Sequence, residues 1–296
     1  MNDVDIILSI CYYQRIDVLL SQIDNFKNFI KCSYIIILHC GVNLYNELKN
    51  IELPKNIVIN PKYYNKDNPY PIKNAPLGYC SPKIAQGHYD NIDYSLNNYN
   101  FKYLFLFTQK TFLYNYLYLK TLDNLQIESQ SSPPNNWIGF GWPALGNYNE
   151  WHWFRIYNSI FYNYYRNYKN QHLYTSPNEG VGFNYNSCKS IHNFFKNEVM
   201  FNDVFNNMCA PVEEFAFQTI STNESEGWIY IGNGCLNPLK LDPNKFIIKL
   251  EVDHKDIQTN INMRDSSPGY ISTDGDMLDS FYLNNLYTNK YNIKTI

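Results

Sequence analysis

The chain lacks any long apolar run: no stretch approaches the roughly 18 residues that a membrane-spanning helix needs. Met1-Asn2-Asp3 gives no basic start for a signal peptide. Charge is scarce as well. Charged residues make up 17% of the 296 and the formal net charge is −3, so no basic surface for a polyanion is indicated and nucleic-acid binding is disfavoured. The 7 cysteines (Cys11, Cys32, Cys40, Cys80, Cys188, Cys209 and Cys235) are odd in number and form no C-x-x-C pair. That argues against a disulfide framework and a structural zinc site, and fits a reducing, cytoplasmic compartment. No G-x-G-x-x-G follows the first apolar run, and neither G-x-x-x-x-G-K-[ST] nor G-x-S-x-G occurs. Dinucleotide-binding, P-loop and nucleophile-elbow enzymes are therefore disfavoured. No internal repeat suggests a solenoid.

What is present alternates between apolar runs and helical spacings. Val4 to Ile10 reads as a buried parallel strand, Ile16 to Ile30 as a helix, and Ser33 to His39 as a second strand ending in the turn Cys40-Gly41-Val42-Asn43. A short helix from Leu44 to Lys49 leads to a third strand, Asn56 to Asn60. This order predicts an α/β fold, doubly wound with right-handed crossovers. Ligands of such sheets sit at the carboxyl ends of the strands, so Ser9 to Tyr13, His39 to Asn43 and Asn60 to Tyr63 are expected around one crevice. The segment from Pro61 to Pro82 is too long and Pro-rich for a simple connector. A helix is predicted over Lys83 to Leu96, with His88 read as a satisfied core histidine. Phe101 to Thr108 is the most apolar strand and the expected centre of the sheet. A helix carrying Leu113, Tyr116 and Leu117 is expected after it, then a polar linker from Ile127 to Asn136.

In the second half, strands are expected at Trp137 to Trp142, Gly227 to Gly232 and Lys245 to Val252. A turn into a strand is expected at Asn178 to Asn184, and helices at Ile191 to Phe205 and Met277 to Leu286. The stretch Asn147 to Tyr174 is crowded with aromatics and Asn. Two readings stay open for it: a face on which rings stack against sugars, or an ordinary helical hairpin with an aromatic-rich composition. In Pro211-Val212-Glu213-Glu214-Phe215-Ala216-Phe217-Gln218-Thr219, two carboxylates run into an apolar segment. Pro211 suits a helix start, and Glu213 and Glu214 are expected in that helix's first turn. Solvated helix-start acids and a positioned general base are the two readings of the pair.

Four segments, in order, resemble glycosyltransferases of the GT-A type, more narrowly the core-2/I-branching N-acetylglucosaminyltransferase superfamily with its bacterial and viral relatives. They are Ile6 to Ile10 with its following helix, Ile36 to Asn43, Phe101 to Leu113, and "PVEEFAFQT" from Pro211 to Thr219, which resembles a "P-D-E-x-x-x-x-T" segment whose Glu is the catalytic base. The resemblance implies a GT-A-like (Rossmann-like) doubly wound, mostly parallel central sheet flanked by helices. It implies one glycosyltransferase domain over residues 1–296: a nucleotide-sugar-binding half (1–125), an acceptor and catalytic half (137–265) and a polar tail (266–296). Glu214 takes the base role, and Glu213 stands where the family usually has Asp. Donor-side residues are Ser9, Cys11, Tyr12, Arg15, His39, Gly41, Gln109 and Lys110, and acceptor-side candidates are Trp142 and Glu179. The family's disulfides and membrane anchor are absent, and Gly41 stands where it usually has Asp two places after the His.

Many GT-A enzymes hold a divalent ion with Asp-x-Asp after the central strand. Thr108-Gln109-Lys110 stands there instead, so neither a metal nor any other cofactor is expected. Lys249, Lys255 and Arg264 are then the candidate cations for the leaving diphosphate. The reaction implied is an inverting transfer from a nucleotide-sugar to a hydroxyl of a glycan or glycoconjugate acceptor, in the cytoplasm, or the host cytoplasm for a viral protein. Two alternatives stand beside it: a catalytically inactive glycan-binding module, and a metal-dependent enzyme using Asp274 and Asp276.

Overall fold

The computed structural model describes residues 2–12, 16–63, 82–108, 111–113, 116–131, 156, 158–174, 176, 180–208, 210–231 and 270–272. The opening alternates as expected: β1 (Asn2–Tyr12), α1 (Ile16–Phe29), β2 (Tyr34–Cys40), α2 (Val42–Leu48), β3 (Ile57–Ile59), α3 (Lys83–Asn98) and β4 (Tyr99–Thr108). After it come β5 (Thr111–Leu113), α4 (Leu119–Ser131), α5 (Ile160–Asn163), β6 (Val181–Asn184), α6 (Tyr185–Phe195), α7 (Glu198–Asn202), α8 (Ala216–Glu224), β7 (Ile229–Tyr230) and β8 (Tyr270–Ser272). Six strands form one sheet in the order β3-β2-β1-β4-β6-β7. The first four are parallel, and β6 is antiparallel to both β4 and β7. This is an α/β fold with a mostly parallel sheet, and strands from both halves of the chain share it.

The apolar runs explain the centre. Consecutive strand residues face opposite sides of a sheet, yet Ile6, Ile7 and Leu8 of β1 and Leu104 to Phe107 of β4 are all buried. Both sheet faces are therefore covered along the two middle strands, as a parallel sheet requires. On one of those faces α3 and α6 pack against β4 and against each other. Gly182 of β6 pairs with Phe105 and leaves room for that ring, because a Cβ at Gly182 would lie 2.4 Å from it.

Several expectations need correction. The described residues of the helix expected to carry Leu113, Tyr116 and Leu117 are not helical: Leu113 ends a strand, and Leu117 bridges Ile30 in parallel. The Asn25 side chain bonds both backbone groups of Leu113, at 2.7 Å each, and the end of α1 takes those of Leu117. Extended backbone is thus satisfied without a helix. The helix α4 then begins at Leu119 and occupies the first half of the supposed linker. The helix expected over Ile191 to Phe205 starts earlier, at Tyr185, where Asn184 caps it, and stops at Phe195. Asn197 breaks the run by capping the next helix, accepting from Val199 and Met200, and a π-helical turn follows at Asp203–Asn207. Finally, Glu213 and Glu214 are not in the first turn of an α-helix. They occupy a separate 3-10 turn, Val212–Glu214, and Phe215 (φ −144°, ψ −35°) parts it from α8.

The expected Gly227 to Gly232 strand is reduced to Ile229–Tyr230. The elements expected at Trp137 to Trp142, Lys245 to Val252 and Met277 to Leu286 lie outside the described residues. Among the described residues no helix is long and apolar enough to cross a membrane.

Candidate functional site

At the carboxyl edge of the parallel strands the sequence supplies polar residues just where the apolar runs end, and α3 crosses above them. Its His88 meets Ser9 of β1, with Nδ1 2.8 Å from the hydroxyl oxygen. Asn91, one residue short of a turn further on, donates to the same oxygen at 3.0 Å and to the Ile37 carbonyl at 3.1 Å. Its own side-chain oxygen accepts from Asn60, the first residue after β3, at 2.9 Å. With Asn91 donating to Ser9, the arrangement that uses every group has Ser9 donate to Nδ1 and puts the ring proton on Nε2. That nitrogen has no hydrogen-bond partner among the described residues. Burial, helped by the neighbouring His39, pushes the His88 pKa down to about 3, so the ring is neutral at physiological pH.

Beside this buried group runs a chain of ionisable side chains. His39 Nε2, at the end of β2, lies 3.5 Å from Asp90. Lys62 joins Asp90 at 3.1 Å to Asp93 at 2.9 Å, and His192 of α6 closes the row, 3.1 Å from Asp93. Burial opposes the charge on Asp93, but Lys62 and His192 outweigh it and hold its carboxyl below the usual range. Together these bonds pin the loop from Asn60 to Lys62 onto α3.

Ser9, Cys11 and His39, read from the sequence as donor contacts, are 0%, 4% and 3% exposed. They form the floor of the edge rather than its surface, and the Cys11 thiol donates to the Ile84 carbonyl at the start of α3. Gly41 is also buried, directly before α2. Tyr12 ends β1. Arg15, Gln109, Lys110, Trp142, Glu179, Lys249, Lys255, Arg264, Asp274 and Asp276 lie outside the described residues.

The Glu213–Glu214 turn is tied to this same edge from two sides. Upstream, Lys83, the first residue of α3, donates to Asn206 at 2.6 Å. On the other side the Ser176 N–H donates to the Glu214 carbonyl at 2.9 Å, and Gln218 joins the Ser176 hydroxyl to the Glu213 carbonyl. Four residues beyond Ser176, the Gly180 N–H donates to Leu106, two residues before β4 ends. The turn also packs on α3. Within it Glu213 is buried, at 7% exposure, while Glu214 is half-buried. Of the two carboxylates, Glu214 is the more accessible to a substrate.

His88 was read as a satisfied core histidine; it is buried, but only one ring nitrogen is satisfied among the described residues. Asp90, Asn91, Asp93 and His192 carried no recognisable signal, because their partners are distant in sequence. Lys62 fell within the expected crevice segment, but its two aspartates could not be read from local spacing. Among the described residues no group of three or more His, Cys, Asp or Glu side chains is arranged to hold a metal ion. No protein-family model matches the chain, and no curated protein matches it.

Proposed function

We propose that the chain is an inverting glycosyltransferase of the GT-A type, moving a sugar from a nucleoside-diphosphate donor to a hydroxyl of a glycan acceptor. The observation that carries the reading is the packing of the Glu213–Glu214 turn on α3, whose first turn meets Cys11 at the edge where the order of the parallel strands reverses between β1 and β4. That reversal is where open α/β sheets bind their ligands. Glu214 takes the acceptor proton as the acceptor oxygen attacks the anomeric carbon. The bond from that carbon to the diphosphate breaks on the opposite face, and the nucleoside diphosphate leaves. Lys249, Lys255 and Arg264 neutralise the charge on the departing oxygen. The half-buried position of Glu214 supports giving it, rather than the buried Glu213, the part of base.

A metal-dependent form of the same reaction is favoured by one observation. Ser272 of β8 pairs with Thr111 of β5, three residues past the end of β4. Asp274 follows Ser272 by two residues in the sequence. A thermal-shift panel of nucleotide-sugars, with and without manganese, tests both forms. Stabilisation by at least one nucleotide-sugar supports transfer, and stabilisation by none contradicts it; a requirement for manganese selects the second form.

A further inference from the structure

A second feature of the same edge goes further than the proposed reaction and rests on it. Tyr63 follows β3 by four residues, and its ring stacks on Tyr45, in the first turn of α2, with centroids 4.4 Å apart and planes 23° from parallel. The Lys49 ammonium lies over the Tyr45 ring, 4.0 Å from its centroid. Tyr63 is nonetheless 41% exposed.

An exposed loop tyrosine is ordinarily free to swing, but the approach to this one is fixed. Asn60 is buried and bonded to Asn91, its side-chain oxygen accepts the Lys62 N–H at 2.9 Å, and the Lys62 ammonium is held by Asp90 and Asp93. The loop is anchored at Asn60 and Lys62, and Tyr45 backs the ring itself. A held, part-exposed aromatic face at the ligand edge of a parallel sheet is suited to stacking a flat partner, and such stacking tolerates any base.

Its distance from the reversal point selects the partner. From the reversal point between β1 and β4 to β3 lie two and a half strand spacings, about 12 Å. That is the span of a nucleoside carrying its first phosphate. A diphosphate seated between β1 and β4 therefore carries its base to the end of β3. We infer that Tyr63, backed by Tyr45 and Lys49, is the platform on which the nucleobase of the donor stacks.

The test is calorimetric titration of uridine, guanosine and adenosine diphosphates, and of inorganic pyrophosphate, into the parent protein, Tyr63→Ala and Tyr63→Trp. Tyr63→Ala is expected to weaken each nucleoside diphosphate that the parent binds by about fivefold to a hundredfold. Pyrophosphate binding should stay unchanged, and Tyr63→Trp should keep nucleotide affinity. If Tyr63→Ala binds nucleoside diphosphates like the parent, or loses pyrophosphate in parallel with them, the platform is wrong while the proposed reaction stands. If the parent binds none of the three nucleotides, both fall together.

Discussion

The backbone N–H of Ser176 donates to the carbonyl of Glu214 at 2.9 Å, joining two segments that are 38 residues apart. Side chains of α8 lengthen the attachment: Thr219 bonds both backbone groups of Tyr174, and Asn223 bonds the carbonyl of His172. The strap from His172 to Ser176 thus sets the position of the 3-10 turn relative to the sheet. A base must be held near its proton before reaction, and a turn bonded on both sides holds better than a solvated helix start.

Neutral, buried His88 predicts a pH dependence of stability. Its folded-state pKa, about 3, lies below the ordinary value of 6.5. Below pH 6.5 the unfolded chain takes up a proton that the folded chain refuses. The contribution is therefore complete above pH 6.5 and is lost as pH falls towards 3, at up to about 1.4 kcal/mol per pH unit. Urea unfolding of the parent and of His88→Asn between pH 6.5 and 5 should differ in slope by about one proton. His192, which burial also lowers, is present in both proteins and cancels in the comparison. Equal slopes would mean that the imidazole is protonated in the folded state.

Gly182→Ala should destabilise the fold by about 1–3 kcal/mol, since the new methyl would meet the fully buried Phe105 ring. Pairing it with Phe105→Leu should recover part of the loss, and denaturant unfolding of the four proteins measures the coupling. Strictly additive losses would place the clash elsewhere.

Much of the parallel core was legible in the sequence, because β1, β2 and β4 are continuous apolar runs and α1 and α3 keep helical spacing. The antiparallel direction of β6 was not, since four residues carry no mark of direction. Nor was the extended backbone at Leu113, which depends on an amide 88 residues away. The Glu pair was legible as a pair and misread as the start of an α-helix, because Pro211 suits a 3-10 turn as well. The network joining Ser9, His88, Asn91 and Asn60 was invisible: each member is an ordinary polar residue until the sheet brings them together.

Chelator should leave nucleotide-sugar binding and turnover intact, since Thr108-Gln109-Lys110 offers no carboxylate. Turnover measured with and without EDTA, then with added manganese, checks this. Loss on chelation with recovery by manganese would transfer the charge-neutralising role from Lys249, Lys255 and Arg264 to Asp274 and Asp276.

The central claim is that Glu214 removes the acceptor proton, and the direct test compares transfer rates of Glu214→Gln and Glu213→Gln with the parent. A general base is worth about 10²–10⁴-fold in rate, or about 3–5 kcal/mol of barrier. Glu214→Gln should fold and bind donor normally while transfer falls at least about a hundredfold. Glu213→Gln, at a buried position, should lower thermal stability and leave the rate of the folded protein within about tenfold of the parent. A Glu214→Gln variant that transfers sugar at the parent rate would contradict the account.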